Sequence, residues 1–509
     1  MSEVFETLWT LGDKLAAHVV LSAAALALGI AVALPLAVWA SRSRTVERIA
    51  LGFASLVQTI PALALLALFF PILLSLRALF GEGLPALGFL PALLALALYA
   101  LLPILRNAVT ARAEMAPGVL QAADAVGMTG WQKLRLVEAP LAAPFVMAGI
   151  RTAAVWTIGA ATLSTTVGQP SLGDPIFAGL QTQTWSLVVA GCLASAGLAL
   201  AADGLLALVE RGMKARRPAL VWTGTALIAA GLAAALLAGT GRDRDTVVVG
   251  AKNFSEQYIL ARLIGDRLEA AGYAVEYREG LGSAVVHRAL TSGQVDVYVD
   301  YSGTVWANEM KRDGTPPRAE MLDAIAAWEK GNGARMLGAL GFENAYAFAM
   351  KQERAGVLGI ASLADLAAKG RNLTLGGDLE FFRRPEWRAV DAAYGLGALT
   401  RRNFAPTFMY DALGSDEADV ITAFSSDGRI AADRLVVLAD PRGALPAYDA
   451  ILLISPGRAD DRRFTRALMP LVGAIPVEAM REANFMVDRP ESKKTPEQAA
   501  RWLAERVGS

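Results

Sequence analysis

The sequence predicts a two-part protein, an α-helical membrane half followed by a two-lobed α/β half. Three observations carry that expectation. Apolar residues make up 54% of the 509-residue chain and charged residues 19%, against roughly 45–50% apolar in a soluble protein, and the excess is confined to long Ala/Leu runs before about residue 240. After that point charges are spread throughout, and short β-branched runs alternate with helical stretches, the pattern of an α/β sheet. The alternation breaks near 346 and then resumes, which divides the second half into two lobes.

A helix that crosses the hydrocarbon core needs ~20 mostly apolar residues. Runs 19–40, 49–72, 88–105, 141–163, 187–209 and 218–239 qualify, with Pro35, Pro61 and Pro103 inside three of them. Membrane helices tolerate such prolines. The first run starts late and lacks a small-residue cleavage site, so it reads as a retained span. Basic residues orient the set. Arg42, Arg44 and Arg48 follow the first run, Arg106, Arg112, Lys133 and Arg135 the third, and Arg211, Lys214, Arg216 and Arg217 the fifth. Connections 73–87 and 164–186 hold only Arg77. The basic connections are therefore expected in the cytoplasm and the N-terminus outside. The sixth run then leads back out, and everything after about residue 240 is extracytoplasmic.

The connection between runs three and four carries a pattern. In QAADAVGMTGWQKLRLVEAP, 121–140, small residues Ala122, Ala123 and Ala125 precede Gly127, where a helix can turn. Trp131, Leu134, Leu136 and Val137 then fall at helical spacing. On periodicity alone this is a surface amphipathic helix.

In the second half, TVVVGAK (246–252) reads as a strand, NFSEQYILARLIGDRLEAAG as a helix with Ser255 and Glu256 cap-like at its start, VEYREG as a second strand, SAVVHRALTSG as a helix and VDVYVDY (295–301) as a third strand. LTLGGD (373–378), ADVITAF (418–424), RLVVLAD (434–440) and AILLIS (450–455) continue the series before a helical C-terminus. A parallel sheet in each lobe is expected, with ligand in the crevice at the carboxyl ends of the strands. The third strand then delivers Tyr301, Ser302, Gly303 and Thr304 to that crevice. Taken alone, Tyr301 is as much core material as ligand contact.

Several function classes fall away. A zero net charge, with 48 basic and 48 acidic residues, argues against a nucleic-acid partner. The single Cys192 cannot form a disulfide within the chain, and His18 and His287 lie too far apart in sequence to announce a metal site. No cofactor is expected. No GxxxxGK[ST] phosphate loop occurs, so this polypeptide is not expected to hydrolyse ATP by that route. Asp296 and Asp300 share a strand face without a nucleophile or partner base beside them, and both read as structural. Asp427 with Gly428 reads as a turn, and His287 as a helix-face or core residue.

Segment 121–140 resembles the "EAA" coupling loop of ABC-importer permeases. Ala122, Ala123, Gly127, Val137 and Pro140 fit its spacing, Gln121 stands for the usual glutamate and Ala139 for the usual leucine. The flank AAPFVMAGIRTAAVWTIGAATLSTTVG, 142–168, resembles permeases that import glycine betaine, choline and related compounds, and the likeness covers most of 15–212. It implies a five-span core with a sixth, tethering span in lipid, a separate ABC ATPase that docks on the coupling loop, and a permease homodimer, since one five-span core is too small to enclose a path.

Five further stretches resemble the binding proteins of the same importers: GAKNFSEQY (250–258), ENAYAFAM (343–350), LEFFRRPEW (379–387), FSSDGRI (424–430) and LPAYDAILL (445–453). The resemblance covers most of 246–505 and implies a two-lobed periplasmic-binding-protein-like fold of type II. Position by position, Tyr301, Tyr346 and Tyr448 match three walls of an aromatic cage and Phe424 a fourth wall that is usually tyrosine. Lys252, Thr304 and Arg384 match the groups that hold a ligand carboxylate, and Asn344 matches a position whose backbone carbonyl completes the cage. The alternatives are a surface pair of Arg384 with Glu380 or Glu386, and a solvated helix-start position for Lys252. The implied division is a permease over 1–212, the sixth span and linker over 213–244, and a binding domain over 245–509. Its first lobe takes about 245–345 and 449–509, its second about 346–448. The implied function is import of a quaternary ammonium compound across the bacterial cytoplasmic membrane. Rival readings are an importer of another zwitterion, such as ergothioneine or an amino acid, and a transmembrane sensor, which has no use for a coupling loop.

Overall fold

The computed structural model describes residues 2–80, 84–182, 184–239, 245–312, 314, 316–489 and 491–508. The chain forms two compact units, one made of the helices of the first half and one of the α/β second half. The linker expected over 240–244 lies outside the described residues.

In the helical unit five helices are long and apolar enough to cross a membrane: Gly12–Ala40, Phe89–Ala113, Gly130–Val167, Trp185–Lys214 and Pro218–Leu237. The second expected span, 49–72, is not one helix. Arg44–Thr59 and Ala62–Leu76 meet at 103°. The reason is local: Pro61 has no N–H to continue the ladder, and its ring forces the preceding residue out of the helical region. Ile60 accordingly takes φ −77°, ψ 125°. Pro35 and Pro103 stay inside continuous helices. Counted with the bent pair as one crossing, the unit has up to six spans among the described residues.

Among the described residues the α/β unit contains ten strands in two five-stranded sheets. They are β1 (Thr246–Lys252), β2 (Ala274–Leu281), β3 (Val297–Tyr301), β4 (Arg335–Glu343), β5 (Tyr346–Lys351), β6 (Thr374–Gly377), β7 (Thr400–Asn403), β8 (Val420–Phe424), β9 (Leu435–Val437) and β10 (Asp449–Ile454). The orders are β2-β1-β3-β10-β4 and β7-β6-β8-β5-β9. The sheets are mixed, not parallel as the alternation predicts. β1 pairs parallel with β2 and β3, and β6 with β7 and β8, but β10 and β5 run antiparallel to their neighbours. Strands joined through helices run toward the crevice and end there. β5 and β10 come straight from the other lobe, so they begin at the crevice and run away from it. Tyr346, the first residue of β5, pairs with Phe424, the last of β8, and Ala450 pairs with Tyr301, the last of β3.

Ser255 and Glu256 do not cap helix Ser255–Ala270. Its N-cap is Phe254, without a side-chain cap bond. Ser255 Oγ donates instead to Asp488 Oδ1 at 2.6 Å, and Glu256 is buried.

Candidate ligand-binding site

The two sheets place their strand ends around one crevice, and the site follows from that placement. Tyr301 ends β3, Phe424 ends β8, Tyr346 opens β5 and Tyr448 immediately precedes β10. The rings meet. Tyr346 lies 5.0 Å from Phe424 and 5.5 Å from Tyr448, the latter edge-on at 87°. A cavity of about 490 Å³ opens between them, lined also by Lys252, Thr304, Asn344 and Arg384. All eight sequence-predicted ligand residues therefore border one space.

Tyr448 is seated by close approach. A Cβ on Gly303 would lie 2.6 Å from Tyr448 ring carbons, so the turn after β3 needs glycine for the ring to lie against the backbone. The two cations are both engaged. Lys252 is buried, its ammonium bonded to Asp300 and 5.2 Å from the Tyr301 ring centre. Arg384 precedes helix Pro385–Tyr394 and is 5% exposed. Its Nη1 donates to Glu380 at 2.7 Å, its Nε and Nη2 donate to Glu386 at 3.2 and 3.1 Å, and Nη2 also donates to the Tyr448 hydroxyl at 3.1 Å. Of the two pairings that sequence offers as a surface alternative, the one with Glu386 is buried at the cavity wall and the one with Glu380 is exposed. Asn344, in the β4–β5 crossing, donates through Nδ2 to Glu256 at 3.0 Å, and its Oδ1 is buried with no hydrogen-bond partner.

Two cage phenols donate to buried carboxylates, Tyr301 to Glu256 at 2.5 Å and Tyr448 to Glu386. Burial, with the neighbouring glutamates, holds both phenols far above the ordinary tyrosine range, although the charge of Arg384 opposes the shift at Tyr448. Burial also pushes up the carboxyls of Glu256 and of Asp378, a further lining residue. The site thus presents ring faces backed by acids, with its two cations already engaged.

Sequence reasoning missed two lining rings, Phe254 and Phe404. Phe254 lines the cavity, 6.1 Å from Tyr301 and 6.3 Å from Phe424, nearly parallel to the latter at 9°. Its signal was available, because N-cap positions favour Ser, Thr, Asp or Asn, and a phenyl group there between strand and helix must serve something other than capping.

The predicted coupling segment falls on two helices. Gln121, Ala122 and Ala123 lie on Pro117–Ala125, Gly127 turns the chain with φ +75°, and residues 130–140 already belong to the helix that becomes the next span, with Pro140 near the start of Ala139–Ala161. The loop expected over 121–140 is therefore shorter. Ala123 is buried, while Gln121, Ala122, Gly127 and Pro140 are exposed. Lys133 pairs with Asp124 at 2.8 Å across the turn, and Val126, Trp131 and Leu136 stand out from the surface.

A two-lobed ligand trap joined to a multi-span membrane unit is the architecture of a solute importer that carries its own receptor. The chain belongs to the ABC-type glycine betaine transport family. Residues 245–505 match the family model described as the substrate binding domain of ABC-type glycine betaine transport system, and 25–215 match the binding-protein-dependent transport system inner membrane component. The ergothioneine transport permease/ergothioneine binding protein EgtU of Helicobacter pylori (strain G27) is 30% identical over 477 residues, covering 90% of this chain and 83% of that one. The glycine betaine/carnitine/choline transport system permease protein OpuCB of Bacillus subtilis (strain 168) is 39% identical over 215 residues, covering 42% of this chain and 94% of its own. A crystal structure of a glycine betaine/carnitine/choline ABC transporter aligns with 52% of this chain and 98% of its own, at 26% identity and a TM-score of 0.46. The protein is thus a multi-pass inner-membrane permease fused to a substrate-binding domain, and as an ABC permease it works with an ATPase subunit and a small-molecule substrate.

Proposed function

We propose that this chain imports quaternary ammonium compounds, namely glycine betaine, choline, carnitine or a similar betaine. The observation that carries the reading is the gathering of Tyr301, Tyr346, Phe424 and Tyr448 with Lys252, Thr304, Asn344 and Arg384 around one cavity. A quaternary ammonium has no N–H to donate, so hydrogen bonds cannot select it, but ring faces attract it by ~0.5–2 kcal/mol per contact. A volume of about 490 Å³ suits a small solute. A carboxylate end reaches Arg384 by displacing Glu380, whose side chain is 61% exposed and therefore a weakly held partner.

In this reading residues 245–509 lie outside the membrane and close on ligand by a hinge motion at the two crossings. Residues 1–212 form the path as a homodimer surrounded by lipid, and 213–244 tether the binding domain. The turn at Gly127 receives the ATPase. A second zwitterion class is favoured by one observation, the similarity to a relative named for ergothioneine across both halves of this chain. Ergothioneine carries a trimethylammonium and a carboxylate, so the same cage chemistry serves it.

The test is calorimetric titration of the full chain in lipid nanodiscs with glycine betaine, choline, carnitine, ergothioneine and glycine. Binding of one or more trimethylated ligands with none of glycine is expected. Binding of glycine instead would make the rings packing residues and leave the importer with a different substrate.

A further inference from the structure

Behind the cage stands a carboxylate to which neither the family resemblance nor the sequence gives a ligand role. Glu256 is 3% exposed. Its Oε1 accepts from Tyr301 at 2.5 Å and from Asn344 Nδ2 at 3.0 Å, and its Oε2 accepts from Asn484 Nδ2 at 2.8 Å. None of these partners is a cation, and no Lys or Arg among the described residues lies within ion-pair distance. Two neighbouring buried acids differ in this respect, since Asp300 holds Lys252 and Glu386 holds Arg384, whereas Asp378 on the cavity wall accepts from the Phe381 backbone N–H.

We propose that Glu256 is the counter-charge of the bound cation, acting through Tyr301 as a positioning residue that makes the cage select positive charge rather than methyl bulk. The inference rests on the quaternary-ammonium reading above. Three features support it. A phenol that donates to a carboxylate gains electron density, which deepens the negative face of its ring. The carboxylate cannot swing away, because two asparagine amides grip its two oxygens while Gln257 Nε2 donates to the Tyr301 hydroxyl at 3.0 Å. A buried charge without a partner is costly, and a cation in the cage is the partner it lacks.

Ligand binding and ionisation of Glu256 therefore favour each other. Burial raises the carboxyl in the free protein, so cation affinity falls as pH drops through that raised value. The groups facing Glu256 are Tyr301 from β3, Asn344 from the crossing, Asn484 from helix Val477–Asp488 and Ser426 after β8. Asp427, Arg429 and Asp488 line space shared with it.

The test titrates choline, which has no ionising group in this range, and glycine betaine into the full chain in nanodiscs between about pH 5 and 8. Glu256→Gln, which keeps the shape of the side chain, is expected to weaken both ligands about tenfold and to flatten the pH profile of choline binding. Undiminished affinity in the variant, or pH profiles that stay parallel, overturns the proposal. If Glu256→Gln does not fold, Tyr301→Phe cuts the same link. It is expected to weaken choline severalfold and flatten its profile, and parent-like binding in that variant overturns the proposal as well. A parent chain that binds neither ligand overturns the quaternary-ammonium reading and this inference together. A parent that binds them, with a variant that binds equally well, overturns this inference alone.

Discussion

The two lobes build the same pair, a cage tyrosine donating to a buried glutamate, and leave it in different electrical states. On the first lobe Tyr301 meets Glu256, whose partners are all neutral. On the second, Tyr448 meets Glu386, which Arg384 already neutralises. The second lobe supplies shape and a guanidinium fork that already pairs with its phenol-bound acid. On the first lobe no Lys or Arg among the described residues forms an ion pair with Glu256. Under the proposed function, a ligand would bring its cation to Tyr301 and fill the space beside Tyr448.

The largest effect that sharpens this comparison is on stability. Arg384→Met strands Glu386, and Lys252→Met strands Asp300. Removing one member of a buried pair costs about 3–5 kcal/mol, read as a lowered unfolding midpoint of the full chain. A loss under about 1 kcal/mol in both variants would mean that these acids are not held by their cations. Next come the rings. Tyr301→Ala and Tyr448→Ala are each expected to weaken trimethylammonium binding by roughly 1–2 kcal/mol in calorimetry, with Tyr301→Ala the larger because it also disconnects Glu256. Equal affinity in parent and both variants would remove the cage.

The smallest effect concerns the junction behind the site. Burial, then the charge of Asp427, pushes the Asp488 carboxyl up to about 7, against ~3.9 in an unfolded chain. The folded value lies above the unfolded one, so this group's stabilising contribution is complete below about pH 4 and is lost as pH rises through about 7. The unfolding midpoint should fall by a few degrees between about pH 5 and 8, and Asp488→Asn should remove that slope. An unchanged slope would assign it to other groups.

Much of this was legible in the residues. Long apolar runs marked the membrane helices, since nothing else places ~20 apolar residues in a row, and β-branched runs ending in Gly or Asp marked most strands. The break at Ile60–Pro61 was not legible, because the same proline signal leaves the helices at Pro35 and Pro103 continuous. Strand direction at β5 and β10 depends on which lobe the chain has just left, which periodicity does not encode. The eight residues read as ligand contacts do line one cavity. Glu256 looked like a helix-start acid, because sequence position shows only that it opens a helix. Its buried partners Asn344 and Asn484 lie far along the chain.

The sheet order also bears on how the protein is made. β10 sits in the interior of the first sheet, between β3 and β4, yet Ala450 reaches Tyr301 only after the whole second lobe has been synthesised. The second sheet draws all five strands from one uninterrupted stretch, β5 to β9. Pairings distant in sequence form late because their loop entropy must be met first. During synthesis the second lobe can therefore close on its own strands while β3 and β4 wait with open edges. Nascent chains paused before β10 should accumulate with the first lobe sensitive to protease and the second protected, so the lobe that carries Glu256 is also the one that matures last.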